Sequence, residues 1–381
     1  MIDLLESRDK IDKIDMEIVR LFEKRMKICE DVAEYKIATG KKVLDAERER
    51  QKLKALRGRA HGEFNQLGIQ ELFEQIMAIS RKRQYQLLTE HGVEDEEKLE
   101  MVDFLPLNNV TVVFQGVEGA YSYAAMREYF DDDIKSFHVK TWRDAMEAVV
   151  EGKADYGVLP IENSTAGIVA GIYDLLTEYD LNIVGEQIIR VEHALMAPKG
   201  ASLDSICQVY SHEQGLLQCR PFLAQYPQWE QQAEPNTALA AKLVAESKDV
   251  TKAAIASPQT AALYGLEVLA EKINFNDQNY TRFVIVSNAP QITEACDKVS
   301  VVFTVPHTEG SLHRVLAVFA TNGRNLLKLE SRPIVGKCWE YTFFADFSGN
   351  LRSEGMDDTV RQLIDETLSL RILGNYKAAH I

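Results

Sequence analysis

The chain has 381 residues, 46% of them hydrophobic and 27% charged, and a formal net charge of -15. This composition is typical of a globular protein with several cores, and it excludes a disordered chain, a collagen and a disulfide scaffold. The negative charge argues against general nucleic-acid binding, because contacts to phosphates need a cationic face.

The first 90 residues are predicted to form an all-helical bundle. Apolar residues recur in steps of three, four or seven through residues 3–38, which predicts one long amphipathic helix that Gly40 ends. Two further helices are predicted at residues 45–57 and 68–89. A helix this long needs a partner helix, so we expect a second protomer to complete the bundle. The apolar positions are Leu4, Ile11, Ile14, Ile18, Leu21, Ile28 and Val32.

Polar and charged side chains interrupt the apolar faces of these helices. Arg25 falls between Leu21 and Ile28, where a guanidinium is unfavourable unless it meets an anion. In the third helix the apolar face becomes hydrogen-bonding at Ser80 and Gln84. These positions predict a polar cavity for a small anionic ligand, although each residue alone is equally typical of the surface or of an inter-helix ion pair.

Over residues 1–90 this pattern resembles the all-helical chorismate mutase class. The resemblance implies a Claisen rearrangement of chorismate to prephenate, with Arg25, Lys36 and Gln84 as catalytic residues. The reaction needs a folded substrate and stabilisation of charge on the ether oxygen, and fixed cations and amide donors supply both. The implied roles are Arg8 in the partner's site, Arg25 and Arg48 on the substrate carboxylates, Lys36 and Gln84 at the ether oxygen, Glu49 on a substrate hydroxyl, and Asp45 and Ser80 in substrate binding.

Residues 91–107 are acidic and irregular, which predicts a linker between domains. Residues 108–288 then alternate short apolar runs with helical stretches, a pattern typical of an α/β domain. In such folds ligands bind beyond the carboxyl ends of the strands. The apolar runs are residues 110–114, 156–159, 208–210, 253–256 and 283–286.

Polar residues follow several of these predicted strands. Residues 160–167 are expected to lie where a helix begins, so that its free N–H groups bind a carboxylate. Residues 211 and 212 follow another strand. If a helix comes next, Gln218 is within reach of the same strand end. Residues 281 and 282 precede a buried strand. Each position alone is also typical of a helix cap or a turn.

Four motifs lie in this region: GVEGAYSY, LPIENSTAG, VYSHEQGLLQC and NYTRF. Together they resemble prephenate dehydratase, a two-lobed fold similar to periplasmic binding proteins. The resemblance implies loss of the ring hydroxyl and CO2 from prephenate, with Thr281 as the catalytic donor and either His212 or Glu162 assisting it. Ala120 stands where many members carry Ser, which leaves Ser122 as the hydroxyl of that loop. The expected contacts to prephenate are Glu162, Asn163, Thr165, Ser211, His212, Gln218 and Arg282.

Residues 298–376 have the element order βαββαβ, which predicts a ferredoxin-like domain. The ESRP motif after its second strand and the segment that opens its first helix resemble a phenylalanine-responsive ACT domain. The resemblance implies that L-phenylalanine binds between two such domains, and the alternative is a module that only dimerises. The implied effector residues are Glu309, Gly310, Ser311, Leu312, Asn325, Glu330, Ser331, Arg332 and Pro333.

The predicted fold class is therefore multidomain: an all-α helical bundle, a two-lobed α/β domain and an α+β ferredoxin-like domain. Together the three resemblances imply a bifunctional chorismate mutase–prephenate dehydratase that makes phenylpyruvate for phenylalanine biosynthesis and is inhibited by L-phenylalanine. Two alternatives stay open. The first is a dehydratase whose helical segment is only a dimerisation arm, and the second is a non-catalytic amino-acid sensor.

Location and cofactors follow from what the sequence lacks. No apolar run approaches the roughly 18 residues that a membrane span needs, and the N-terminus has no signal-peptide pattern, so we expect a cytoplasmic protein without membrane partners. The partners expected are the small-molecule substrates, L-phenylalanine and a second copy of the chain. Five scattered cysteines without CxxC spacing predict reduced thiols, with no metal and no cofactor: Cys29, Cys207, Cys219, Cys296 and Cys338.

Overall fold

The computed structural model describes residues 3–92, 100–131, 133–334 and 336–381. The chain divides into two compact units. The first comprises Met1–Glu97 and Phe303–Arg371, and the second comprises Lys98–Val302 and Ile372–Ile381.

Helices α1 (Leu4–Thr39), α2 (Ala46–Arg57) and α3 (Glu63–Glu90) form the N-terminal part of the first unit, so the predicted all-helical segment is confirmed. Asp3 caps α1 by accepting the N–H groups of Leu5 and Glu6, and Gly40 ends it with φ +65°. Helix α3 begins at Glu63 rather than at residue 68. Gly62 precedes it as the capping residue, and its φ of +81° is a conformation that glycine adopts readily.

The apolar stripe of α1 is exposed in the single chain. Its predicted core positions keep between 42% and 62% of their surface accessible, whereas Ala33 on the same helix is fully buried. A continuous exposed apolar face of this kind marks an interaction surface. The exposed residues are Leu4, Ile11, Ile14, Ile18, Leu21, Ile28 and Val32.

The predicted linker, residues 91–107, lies partly outside the described residues, which omit 93–99. Its described part is not wholly irregular. Glu100–Met101 (β1) pairs in parallel with Gln291–Ile292 (β13) at the end of the α/β region. The acidic composition did not indicate this pairing, because a two-residue strand has no periodicity to detect.

Besides the β1–β13 pair, the described α/β region of the second unit has two larger sheets, which give it the two predicted lobes. The first sheet has the order β3 (Lys135–Val139), β2 (Thr111–Gln115), β4 (Tyr156–Asn163), β12 (Tyr280–Ser287) and β6 (Asn182–Arg190), with β5 (Gly167–Ile168) on β4. The second has the order β11 (Glu267–Ala270), β7 (Ala194–Ala197), β10 (Lys252–Ala256), β8 (Gln208–Ser211) and β9 (Glu230–Ala233).

Seven helices accompany these sheets within the described residues, and each sheet has its own apolar core. Val158 and Ile285 are fully buried in the first lobe, and Val209 and Ile255 in the second. The chain crosses between the lobes after β6 and again before β12, so residues at these crossings lie between the two sheets. The helices are α4 (Tyr121–Tyr129), α5 (Trp142–Val150), α6 (Ala170–Glu178), α7 (Glu213–Gln218), α8 (Arg220–Leu223), α9 (Thr237–Ser247) and α10 (Pro258–Tyr264).

The C-terminal segment has the predicted βαββαβ order. Its four strands form one sheet in the order β15-β16-β14-β17, and β15 lies at the edge with alternating exposure. Of the described helices, none is both long enough and apolar enough to cross a membrane. The elements are β14 (Lys298–Thr304), α11 (Ser311–Thr321), β15 (Leu326–Pro333), β16 (Tyr341–Ser348), α12 (Met356–Glu366) and β17 (Ser369–Tyr376).

Candidate active sites

Four of the predicted mutase residues form a hydrogen-bonded chain between α1 and α3. The guanidinium of Arg25 donates to the hydroxyl of Ser80. The amide of Gln84 donates to the main-chain carbonyl of Ser80 at 3.1 Å and accepts from Lys36 Nζ at 3.0 Å. Gln84 is only 6% exposed. The structure therefore brings Arg25, Ser80, Gln84 and Lys36 together, as the helical spacing predicted.

Lys36 is the partly buried cation of this chain. Its Nζ also donates to the carbonyl of Val43 at 2.6 Å. Burial lowers the pKa of Lys36 from its ordinary value, while the nearby carboxylates of Glu49 and Asp45 oppose that change. The ammonium is thus held by a carbonyl and an amide oxygen, and its third N–H has no acceptor among the described residues.

The other predicted mutase residues lie outside this hydrogen-bonded chain. Arg8 and Arg48 are exposed. The carboxylate of Asp45 caps α2 by accepting the N–H of Arg48 at 3.1 Å, and Glu49 pairs with Arg81. The substrate roles of these four positions stay predictions.

Arg81 is a charged residue that the sequence reasoning missed. It is buried, and it forms ion pairs with Glu49 and, at 2.6 Å, with Glu366 of α12. Burial opposes its charge, but Glu49 and Glu366 together raise the pKa of Arg81. Arg81 therefore neutralises the carboxylate that the resemblance assigns to a substrate hydroxyl. Its position beside Ser80 gave no signal, because Glu366 lies far along the chain.

Thr281 and Asn163 are the centre of the second site. They are opposite each other in the pairing of β12 with β4, and Asn163 Nδ2 donates to Thr281 Oγ1 at 2.9 Å. The direction of this bond is fixed, because Asn163 Oδ1 accepts the main-chain N–H groups of Thr165 and Ala166 at 3.0 and 2.8 Å. Thr281 is therefore an acceptor towards Asn163, and no described residue accepts its own hydroxyl hydrogen. That hydrogen is free to be donated to a ligand.

The helix start predicted at residues 160–167 is wrong. Strand β4 continues through Asn163, and the next helix begins only at Ala170. The side chain of Asn163 satisfies the N–H groups of Thr165 and Ala166, and residues 167–168 pair back onto β4. Those two N–H groups are therefore not available to bind a carboxylate, and Asn163 acts as the local turn-former instead.

Gln218 connects the second lobe to this centre. It lies at the end of α7, and its Nε2 donates to Thr165 Oγ1 at 2.9 Å. Asn163 Nδ2 also donates to Asn279 Oδ1 at 2.9 Å. This bond orients the Asn279 amide, so that Asn279 Nδ2 donates to Gln218 Oε1 at 3.1 Å. The predicted helix after residue 212 is confirmed, and Gln218 at its end reaches Thr165, whereas the contact of Gln218 to prephenate stays a prediction.

His193 ends the network on the buried side. It is 2% exposed, and its Nε2 lies 2.9 Å from Gln218 Oε1. Because the amide of Asn279 donates to the same oxygen, that oxygen is the acceptor and His193 Nε2 carries the hydrogen. Burial lowers the pKa of His193, which favours the neutral ring. The sequence reasoning missed both partners of Gln218 Oε1: Asn279 stands in the NYTRF motif, whereas nothing in the sequence distinguished His193.

Three hydroxyl or imidazole groups expected near the substrate have structural partners. The buried Ser211 donates to the carbonyl of Ile255 at 2.7 Å, and Ser122 donates to that of Gln115 at 2.6 Å. His212 caps α7. Among the described residues, none of the three shares a hydrogen bond with Thr281. The contacts of Ser211 and His212 to prephenate stay predictions.

Arg282 follows Thr281 in β12, so the two side chains leave opposite faces of the strand. Its guanidinium binds Glu186 at 3.1 Å and Glu162 at 3.5 Å. The structure therefore places Thr281 with Asn163 on one side, and Arg282 with Glu162 on the other.

The residues predicted to sense L-phenylalanine lie in the first unit. Ser311 is buried at the start of α11, with its hydroxyl 2.8 Å from that of Thr308, and Gly310 before it has φ +74°. The main-chain N–H of Asn325 donates to Ser348 Oγ at 3.0 Å. The ESRP residues, 330–333, end the edge strand β15 rather than following it. Leu312 is partly exposed on α11.

Comparison with known proteins supports two family assignments. Residues 7–85 match the model for chorismate mutase type II, and residues 112–291 match that for prephenate dehydratase. The bifunctional chorismate mutase/prephenate dehydratase of Escherichia coli K12 is 33% identical, over 99% of this chain and 97% of its own.

Two solved structures are similar over 71% of this chain. A prephenate dehydratase from Arthrobacter aurescens in complex with L-Phe is 32% identical, with a TM-score of 0.65 over 71% of this chain and 90% of that chain. GqqA, described as a novel type of quorum quenching acylase, is 32% identical, with a TM-score of 0.64 over 71% of this chain and 98% of that chain. The match to the Escherichia coli enzyme extends over almost the whole of both chains. The chain therefore belongs to the family of bifunctional chorismate mutase/prephenate dehydratases.

Proposed function

We propose that chorismate is rearranged to prephenate at the cluster of Arg25, Ser80, Gln84 and Lys36. The two cations match the substrate carboxylates and the charge that develops on the ether oxygen, and the buried amide of Gln84 supplies a fixed donor. No group in the cluster has to act as a nucleophile or proton carrier, since the rearrangement needs neither.

Prephenate is then dehydrated and decarboxylated at Thr281. The observation that carries this assignment is the fixed polarity of the Asn163–Thr281 hydrogen bond, which leaves the Thr281 hydrogen for the departing ring hydroxyl. A hydrogen bond to that oxygen helps it leave, and loss of CO2 with formation of the aromatic ring drives the reaction to phenylpyruvate. Thr165 and Gln218 hold Asn163 across the two lobes.

A second copy of the chain is proposed to cover the exposed stripe of α1. The stripe runs the length of the helix, and a helix on one protomer is complemented by the same helix on another in an isologous dimer. The exposed position of Arg8 on α1 fits its predicted role in the partner's site.

We also propose the domain division 1–90, 108–288 and 298–376, with the last segment as an ACT domain that binds L-phenylalanine. The βαββαβ order supports the assignment. The similar prephenate dehydratase from Arthrobacter aurescens supports it as well, because that protein was solved in complex with L-Phe and is matched over 90% of its length. A cytoplasmic location remains the expectation from the sequence.

The purified chain supplied with chorismate is expected to form phenylpyruvate, followed by its absorbance in alkali, and L-phenylalanine is expected to lower the rate. Accumulation of prephenate would exclude the dehydratase assignment. Turnover of prephenate without turnover of chorismate would show that the helical segment is only a dimerisation arm. Consumption of neither would favour the sensor, and a rate insensitive to L-phenylalanine would contradict the effector assignment.

The mutase rate is expected to fall at alkaline pH as Lys36 loses its proton. The protonated form is the one that stabilises the ether oxygen, and burial lowers the pKa of Lys36, so activity is present below that pKa and is lost as the pH rises through it. The measurement is kcat for chorismate against pH. The control is Lys36→Arg, whose guanidinium stays protonated. The same alkaline decline in both proteins would assign the titration to another group.

A further inference from the structure

A buried carboxylate, Glu186, lies beside the strand that carries Thr281. It belongs to β6, and its side chain is 1% exposed. Both of its oxygens lie 2.9 Å from Lys298 Nζ, one accepts from Arg282 at 3.1 Å, and the other accepts the main-chain N–H of Ala379 at 3.0 Å. Two cations and an N–H compensate the large cost of removing the carboxylate from water.

Arg282 connects this carboxylate to the site. It bridges Glu186 on β6 and Glu162 on β4, the two strands that flank β12. In the pairing of β12 with β4, Arg282 lies opposite Glu162, and the next pair is Thr281 opposite Asn163. The guanidinium therefore ties three strands together at the level of Thr281, on the face away from the Asn163 network.

The backbone pairing is irregular next to Arg282. The pairing of β12 with β4 shifts register between Arg282 and Phe283. A bulge interrupts the ladder, bends the strand and changes the direction of its side chains. The pairing of β12 with β6 runs without a shift from Tyr280 to Ile285, so the interruption lies on the β4 side, where Asn163 faces Thr281 and where Arg282 binds Glu162.

We propose that Glu186 is a positioning residue of the dehydratase, which holds Arg282 and thereby sets Thr281 against Asn163 without contacting prephenate. Lys298 and Ala379 hold Glu186 in turn. Lys298 begins β14, and Ala379 follows β17, so the carboxylate is held from both ends of the C-terminal segment. The inference rests on the proposed role of Thr281.

The variant Glu186→Gln keeps the shape of the side chain and removes its charge. We expect kcat for prephenate to fall about 10-fold or more, because a small misplacement of a reacting group has an effect of this order. KM should change little, because Glu186 does not touch the substrate, and chorismate turnover by the same protein should stay at the wild-type rate. Wild-type kcat for prephenate in Glu186→Gln would overturn the inference.

A second variant separates positioning from stability. Glu186→Gln leaves the buried Lys298 without its carboxylate and Arg282 with Glu162 alone, which lowers Tm and can prevent folding. Combining it with Lys298→Met removes the cation that has lost its anion, so Tm should recover while Arg282 still lacks the Glu186 carboxylate and kcat stays low. Recovery of kcat together with Tm would show that Glu186 only neutralises Lys298 and would overturn the proposal. Failure of the wild-type chain to turn over prephenate would instead contradict the proposed function, and it is measured before any variant.

Discussion

Replacing Thr281 by alanine is expected to lower kcat for prephenate by about 10² to 10⁴-fold, the range typical of losing a positioned proton donor. Thr281 accepts from Asn163, and its own hydrogen has no acceptor among the described residues. Alanine removes that hydrogen and leaves the departing hydroxyl without its donor. The measurement is the rate of phenylpyruvate formation from prephenate, at substrate concentrations that separate kcat from KM.

The matched control is Thr281→Ser, which keeps the hydroxyl in the same bond to Asn163 and should retain most of the activity. Chorismate turnover of both variants should equal that of the wild type, because Arg25, Lys36 and Gln84 are untouched. A Thr281→Ala enzyme with wild-type kcat would remove Thr281 from the chemistry. Equal losses in the alanine and serine variants would show that packing by the threonine methyl matters rather than the hydroxyl.

Elements with a strong local period could be predicted from the sequence. The apolar steps of α1 predicted its length, and the αL conformation that Gly40 adopts ends it where expected. The same periodicity predicted that Arg25, Ser80 and Gln84 would meet, because residues on one face of a helix stay on that face. The βαββαβ order of the C-terminal segment was also predicted, since apolar runs bounded by turns delimit its elements.

The extension of β4 could not be predicted from local pattern. Polar residues such as Glu162 and Asn163 are typical of a loop, and only pairing with β12, far along the chain, makes them part of a strand. The consequence was chemical as well as structural. The expected carboxylate site at a helix start is absent from the described segment 160–167. Asn163 instead fixes the direction of the hydrogen bond to Thr281, in which Thr281 is the acceptor.

Contacts between buried residues that are far apart in sequence also could not be predicted. Arg81 with Glu366 and His193 with Gln218 are contacts that no motif spacing encodes. In each pair, one residue also contacts a residue that the sequence assigned to a site: Arg81 binds Glu49, and Gln218 binds Thr165. Motifs thus indicated the groups that are proposed to face the substrate, whereas the residues that hold those groups in place required the three-dimensional structure.

Replacing Arg25 by alanine is expected to lower kcat/KM for chorismate by about 10² to 10³-fold, the effect typical of losing one fixed electrostatic contact to a transition state. The guanidinium lies against Ser80 in a partly buried position, so solvent screens its charge less than that of an exposed cation, and that hydroxyl sets its direction. Alanine removes the cation assigned to a substrate carboxylate and leaves Ser80 without its donor. The measurement is the loss of chorismate over a range of concentrations.

The matched control is Lys24→Ala, which removes an exposed cation from the neighbouring position of the same helix and should leave chorismate turnover unchanged. Prephenate turnover should be unaffected in both variants, because Thr281 and its network belong to the other compact unit. An equal loss of both activities in Arg25→Ala would contradict separate sites. A loss of the same size in Lys24→Ala would show that the net charge of α1, rather than the Arg25–Ser80 contact, binds the substrate, since only a general field treats the two cations alike.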